Sequence, residues 1–69
     1  SLEKKDYNNS IAYYKQSMMI GLTTGDLEGL TYAYNNMGVT YFRMKDYEKA
    51  TEFYRKSLNI NENYLRDYT

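Results

Sequence analysis

Sliding the chain against itself by 40 residues lays LEKKDYNNSIAYYKQSMMI (2–20) over FRMKDYEKATEFYRKSLNI (42–60). Lys5, Asp6, Tyr7, Tyr14, Ser17 and Ile20 then meet identical residues at Lys45, Asp46, Tyr47, Tyr54, Ser57 and Ile60. Leu2 with Phe42, Tyr13 with Phe53 and Met18 with Leu58 are conservative pairs, and Ser10 falls on Ala50. A unit that recurs at fixed spacing folds the same way each time, and its copies bury their apolar faces against one another. One supersecondary unit therefore occurs almost twice, and its first copy lacks most of a leading helix.

The unit is helical. Proline is missing and glycine is sparse, so little interrupts a helix. A first helical stretch is predicted from about Asp6 to Leu22, with Tyr7, Ile11, Tyr14 and Met18 at three- and four-residue steps. It ends at "TTGD", where Gly25 can take a left-handed C-terminal position and Asp26 can cap the next helix. The second stretch runs from about Asp26 to Met44. Its stripe of Leu27, Leu30, Tyr34, Met37, Tyr41 and Met44 keeps the helical step throughout, and Asp26 and Glu28 complement the dipole of its first turn. The third starts at Asp46 as a cap, presents Tyr47, Ala50, Tyr54, Ser57 and Leu58 on one face, and stops near Asn61. Glu52 and Lys56 on its solvent side are spaced to pair. The expected fold is all-α, with three main helices in antiparallel helix–turn–helix arrangement.

Composition removes several functions. Nine basic and nine acidic residues cancel, leaving no electrostatic footprint for nucleic acid or an anionic membrane. Without cysteine there are no disulfides or thiolate metal sites, and without histidine the commonest general base and metal ligand are absent. No apolar run approaches the roughly 20 residues of a membrane span, and no signal-peptide pattern opens the sequence. No cofactor is expected, and a cytoplasmic setting is. Asp6, Asp26 and Asp46 sit at helix starts, and Glu48, Glu52 and Glu62 on solvated faces. "GLTTGDLEG" has the wrong spacing for a phosphate loop and lacks its lysine. No catalytic constellation is left, so no enzyme is expected.

Residues 31–64 resemble a tetratricopeptide repeat. That family's helix A carries a large aromatic, a Leu-Gly step and a tyrosine; its helix B carries an alanine, an aromatic and a second small residue. Tyr34, Met37-Gly38 and Tyr41, then Ala50, Tyr54 and Ser57, stand in those places, and "KDYEKA" resembles the usual inter-helix turn. Tyr34 replaces the common tryptophan, Ser57 the usual alanine, and Glu62 a frequent proline. The 40-residue spacing resembles a longer-period subclass of the family. The resemblance implies a right-handed superhelical fragment making up a single unit over 1–69. Residues 1–25 would be a partial repeat, mainly helix B, 26–64 a full repeat, and 65–69 a tail.

The bottom-up reading of the same residues is packing. Gly38 and the small residues at 10, 17, 50 and 57 let helices approach closely, and the tyrosines at 7, 14, 34, 41, 47 and 54 fill the space between them. Met18 belongs to the same packing. Tyr13, Tyr32, Tyr64 and Tyr68 are left for interfaces.

The resemblance further implies a protein or peptide partner on the concave face of helix A. Tyr32, Asn35, Asn36, Val39 and Arg43 would line that groove, with Asn36 holding the main chain of an extended peptide. An amide offers both donor and acceptor, which suits a backbone whatever its side chains; Arg43 suits a carboxylate. The rival reading is compositional: asparagine is common here, and the doubled Asn35-Asn36 has a counterpart in Asn8-Asn9 where no groove is expected. A second functional reading is architectural. Repeat arrays need about three units and polar caps, whereas Leu2 and the outer side of the first helix offer apolar surface, which leaves two outcomes: the chain is a fragment of a longer array, or it forms homo-oligomers through its open ends.

Overall fold

The computed structural model describes residues 4–65, with side chains from Asp6 to Asn63. It contains α1 (Lys4–Thr24), α2 (Leu27–Arg43) and α3 (Tyr47–Ile60), and α3 runs into a single π-helical turn, Asn61–Leu65. The chain is all-α, and α2 packs against both α1 and α3. Leu2, the side chains of Tyr64 and Tyr68, and residues 66–69 of the expected tail lie outside the described residues.

The helix boundaries follow from local chemistry. Asp26 accepts a hydrogen bond from the Gly29 N–H at 3.1 Å, and Asp46 accepts one from the Lys49 N–H at 3.3 Å, each holding an otherwise unpaired amide of a first turn. Gly25 takes φ 76°, which turns the chain out of α1 while the Gly25 and Asp26 amides both donate to the Gly21 carbonyl. α1 outlasts its predicted end by two threonines. The hydroxyls of Thr23 and Thr24 donate back to the Met19 and Ile20 carbonyls, so helical backbone accommodates both.

The turn between α2 and α3 is a Schellman motif: the Lys45 N–H donates to the Phe42 carbonyl and the Asp46 N–H to the Tyr41 carbonyl. Its left-handed residue is Lys45, at φ 68°, where glycine is usual. Phe42 and Tyr47 flank the turn with their rings edge to face, 5.4 Å apart.

The core runs the length of α2. Met37 and Ala33 are completely buried, and Leu30, Tyr34 and Ile60 form a cluster against which Met18, Leu27 and Phe53 pack. Burying a side chain such as Met37 contributes about 1.5–3 kcal/mol. Phe53 stacks flat on Tyr41 at 5.5 Å between ring centroids and lies 6.0 Å from Tyr34, while the Lys56 ammonium stands 5.4 Å over Phe53 and 5.7 Å over Tyr34.

Two glycines bring the helices close. A Cβ built on Gly38 would lie 2.7 Å from ring carbons of Tyr54, and one on Gly21 would lie 3.2 Å from the Leu30 Cβ and backbone nitrogen. Gly38 is one of the expected packing positions; Gly21 was not singled out in the sequence. The face of α3 needs correcting. Ala50 and Ser57 are buried as expected, but Tyr47, Tyr54 and Leu58 are exposed, and Phe53 and Ile60 complete the inner line instead. The line Ala50, Phe53, Ser57, Ile60 keeps a three-four-three step, so α2 crosses α3 about one residue further round than the stripe suggested.

Candidate functional site

Tyr32, Asn36, Val39 and Arg43 follow one another at steps of four, three and four, which sets them along one flank of α2 beside its core stripe. Asn36, Val39 and Arg43 line a shallow pocket of about 200 Å³ together with Thr40 and with Tyr7, Ser10 and Tyr14 from α1. Tyr32 borders this group through Tyr14, their rings edge to face at 6.2 Å, and Tyr14 meets Tyr13 in the same manner at 5.3 Å. Asn35 is exposed and is not among the residues that line the pocket.

Hydrogen bonding decides what the pocket can offer. The Thr40 hydroxyl donates to the Asn36 carbonyl at 2.9 Å, so its proton is already placed within the helix. The Asn36 side-chain amide donates to the Tyr32 carbonyl at 2.8 Å. One Asn36 N–H and the side-chain oxygen are then left for a ligand, enough for one donor and one acceptor contact. The Arg43 guanidinium adds a fork of donors, Val39 an apolar patch, and Tyr7 and Tyr14 phenolic bodies with polar tips. Such a lining suits a main-chain amide or a carboxylate beside a small apolar group.

Of the five groove residues named from the sequence, the structure gathers Asn36, Val39 and Arg43 into one pocket, with Tyr32 at its border and Asn35 outside. Sequence reasoning missed the α1 wall, having assigned Tyr7 and Tyr14 to packing alone. The wall arises only where α1 meets α2, so no local signal in the sequence marks it.

The remaining named residues belong to the helix contacts. Tyr34, Met37 and Gly38 are buried in α2, Tyr41 is half-buried under Phe53, Ala50 and Ser57 are buried in α3, and Tyr54 closes over Gly38. Among the described residues there is no group of three or more acidic, histidine or cysteine side chains that would hold a metal ion. None of the described helices is long and apolar enough to cross a membrane.

The aromatic, glycine and small-residue contacts along α2 and α3 are those of a helical repeat, and the family model for the tetratricopeptide repeat matches residues 31–64. Residues 31–64 are a tetratricopeptide repeat. The match takes in most of α2, all of α3 and all but the last residue of the π-helical turn. Tetratricopeptide repeats mediate protein–protein interactions and are typically non-catalytic scaffolds. The chain has no significant match among curated proteins or solved structures.

Proposed function

We propose that this tetratricopeptide repeat works as a non-catalytic module that binds a protein or peptide, holding an extended segment along the flank of α2. The observation that carries this reading is the convergence of Asn36, Val39 and Arg43 on one pocket walled by Tyr7, Ser10 and Tyr14. Asn36 pairs with the main chain of the bound segment and Arg43 with a carboxylate on it; Tyr32 and Asn35 extend the contact along the outer edge. The groove is built from neutral and singly basic groups, which suits a peptide better than a polyanion.

A peptide-library pull-down, repeated with Asn36→Ala and with Arg43→Ala, tests it. Enriched peptides are expected to weaken on both variants, the Arg43 variant losing those with acidic residues. Hits that bind both variants as well as the parent would sink the groove assignment.

The exposed apolar residues of α1 and α3, among them Met19, Leu22 and Leu58, favour a second reading in which copies assemble through uncapped helix faces. Sedimentation over a range of concentrations separates the two: a compact monomer at high concentration excludes assembly.

A further inference from the structure

The pocket between α1 and α2 has more to donate than to accept. Tyr7, Ser10 and Tyr14 line it, and among the described residues none of their hydroxyls donates a hydrogen bond. The hydroxyls of Ser17, Thr23, Thr24, Thr40 and Thr51, by contrast, each donate to the carbonyl four residues back. Asn36 has one N–H left and Arg43 a fork of them, and no carboxylate is among the described residues of the lining. Against these donors stand two groups limited to accepting. They are the Asn36 side-chain oxygen and the buried Thr40 hydroxyl, whose proton goes to the Asn36 carbonyl.

The same lining is aromatic at a regular interval. Tyr7 and Tyr14 stand two turns apart on one face of α1, about 10 Å along its axis. Tyr32 of α2 adds its ring at the Tyr14 end, edge to face at 6.2 Å, and is 59% exposed. The short turn at Gly25 sends α2 back along α1, so Tyr7 lies towards the Arg43 end of the pocket. The flank of α2 from Tyr32 to Arg43 is about 16 Å long.

A polyproline II segment meets both conditions. It rises about 3.1 Å per residue with three residues per turn, so residues three apart share an edge at about 9 Å, close to the interval between Tyr14 and Tyr7. Five such residues cover the flank from Tyr32 to Arg43. Its carbonyls are unbonded within the segment, and proline brings no N–H in need of an acceptor. A strand-like peptide would bring an N–H at every residue to a wall poor in acceptors. We propose that the segment held in this pocket is proline-rich and in the polyproline II conformation. One proline lies against Tyr14 and Tyr32, and another, three residues on, against Tyr7. The hydroxyls and the Asn36 amide donate to its carbonyls, and Arg43 takes an acidic residue at one end, which sets the direction of the segment. This rests on the extended-peptide reading of the same groove and adds what the peptide is made of.

The test titrates the 69-residue chain into a fluorescein-labelled peptide of six prolines ending in glutamate, read by fluorescence anisotropy. The control peptide has alanine for every proline. Saturable binding is expected for the proline peptide and binding about tenfold weaker for the control, because the proline chain is already in its bound conformation. Tyr32→Ala should weaken the proline peptide by about threefold to tenfold through loss of a ring face, while Tyr32→Phe keeps the ring and the affinity. Tyr14→Phe removes one donor and should weaken binding by about threefold. Circular dichroism checks that the helices are kept. Should Tyr32→Ala lose them, Tyr14→Phe, which removes only an oxygen, carries the test. Equal binding of the two peptides, both lost on Asn36→Ala, overturns the proline assignment and leaves the extended-peptide reading standing. So does a proline peptide that fails to bind while library peptides still require Asn36. Proline binding indifferent to both Tyr32→Ala and Tyr14→Phe also overturns the proposal. If neither the proline peptide nor any library peptide depends on Asn36, both readings fall together.

Discussion

Gly38 and Tyr54 are in direct register across the α2–α3 crossing: a Cβ on Gly38 would meet the ring at 2.7 Å from two of its carbons and 3.2 Å from Cγ. Cγ is separated from the backbone by Cβ alone, so the ring cannot clear that space by swinging its far end. Gly38→Ala gains about 1 kcal/mol in helix propensity but meets an overpacking cost of roughly 1–3 kcal/mol. Net destabilisation is expected, and Gly38→Leu should be worse. In a Tyr54→Ala background the clash is gone and Gly38→Ala should stabilise. Urea denaturation of the four chains in that cycle reads the coupling directly; a Gly38→Ala effect of the same sign in both backgrounds would refute the contact.

Lys45 sits at φ 68° in the Schellman turn, where a side chain costs about 1–2 kcal/mol relative to the right-handed region. Glycine removes that strain and gives back part of the gain through greater freedom in the unfolded chain. Lys45→Gly is therefore expected to stabilise by about 0.5–1 kcal/mol, while Lys45→Val should destabilise. Melting temperatures of the pair decide it, and a rise for both would mean that the turn is not held in the left-handed region.

The caps at Asp26 and Asp46 behave differently towards their neighbours. Asp46→Ala removes the acceptor for the Lys49 amide and should cost about 1 kcal/mol. At the other cap, a Cβ on Gly29 would press on the Asp26 carboxylate, whose oxygen lies 2.5 Å away. The carboxylate can move, but it then leaves the Gly29 N–H. Gly29→Ala thus exchanges about 1 kcal/mol of helix propensity for a cap of about the same worth and should be close to neutral. With Asp26→Ala already in place, the same change should stabilise by the full propensity difference in thermal unfolding.

The features legible in the sequence were those set within a few residues. Gly25, Asp26 and Asp46 act through their own backbone, so turn chemistry located them, and the α2 stripe has a single helical reading. The inner face of α3 was harder. Ala50 and Ser57 fix its centre, but whether Phe53 or Tyr54 turns inward depends on the side from which α2 crosses, which lies outside the segment. Gly21 was overlooked for a related reason: it sits in the last turns of α1, and only the start of α2 gives it a neighbour. The pocket wall of Tyr7, Ser10 and Tyr14 is likewise a product of two helices. The hydrogen bond from the Asn36 amide to Tyr32 is local, and the four-residue spacing that permits it was present in the sequence.

Thr31 has the one polar side-chain atom among the described residues that is shielded from solvent without a hydrogen-bond partner, its Oγ1. Other threonines in these helices avoid this. Thr23, Thr24, Thr40 and Thr51 each donate to the carbonyl four residues back. A hydroxyl taken from water with no replacement partner costs about 1–3 kcal/mol, and exchanging it for a methyl of the same shape removes that penalty. Valine keeps the β-branch and has nearly the same helix propensity. Thr31→Val is therefore expected to raise stability by about 1 kcal/mol or more. Thr40→Val serves as the comparison, since it removes a hydroxyl that is hydrogen-bonded and should destabilise. Parallel urea titrations of the two variants measure the contrast, and a loss of stability in Thr31→Val would show that its hydroxyl has a partner in solution.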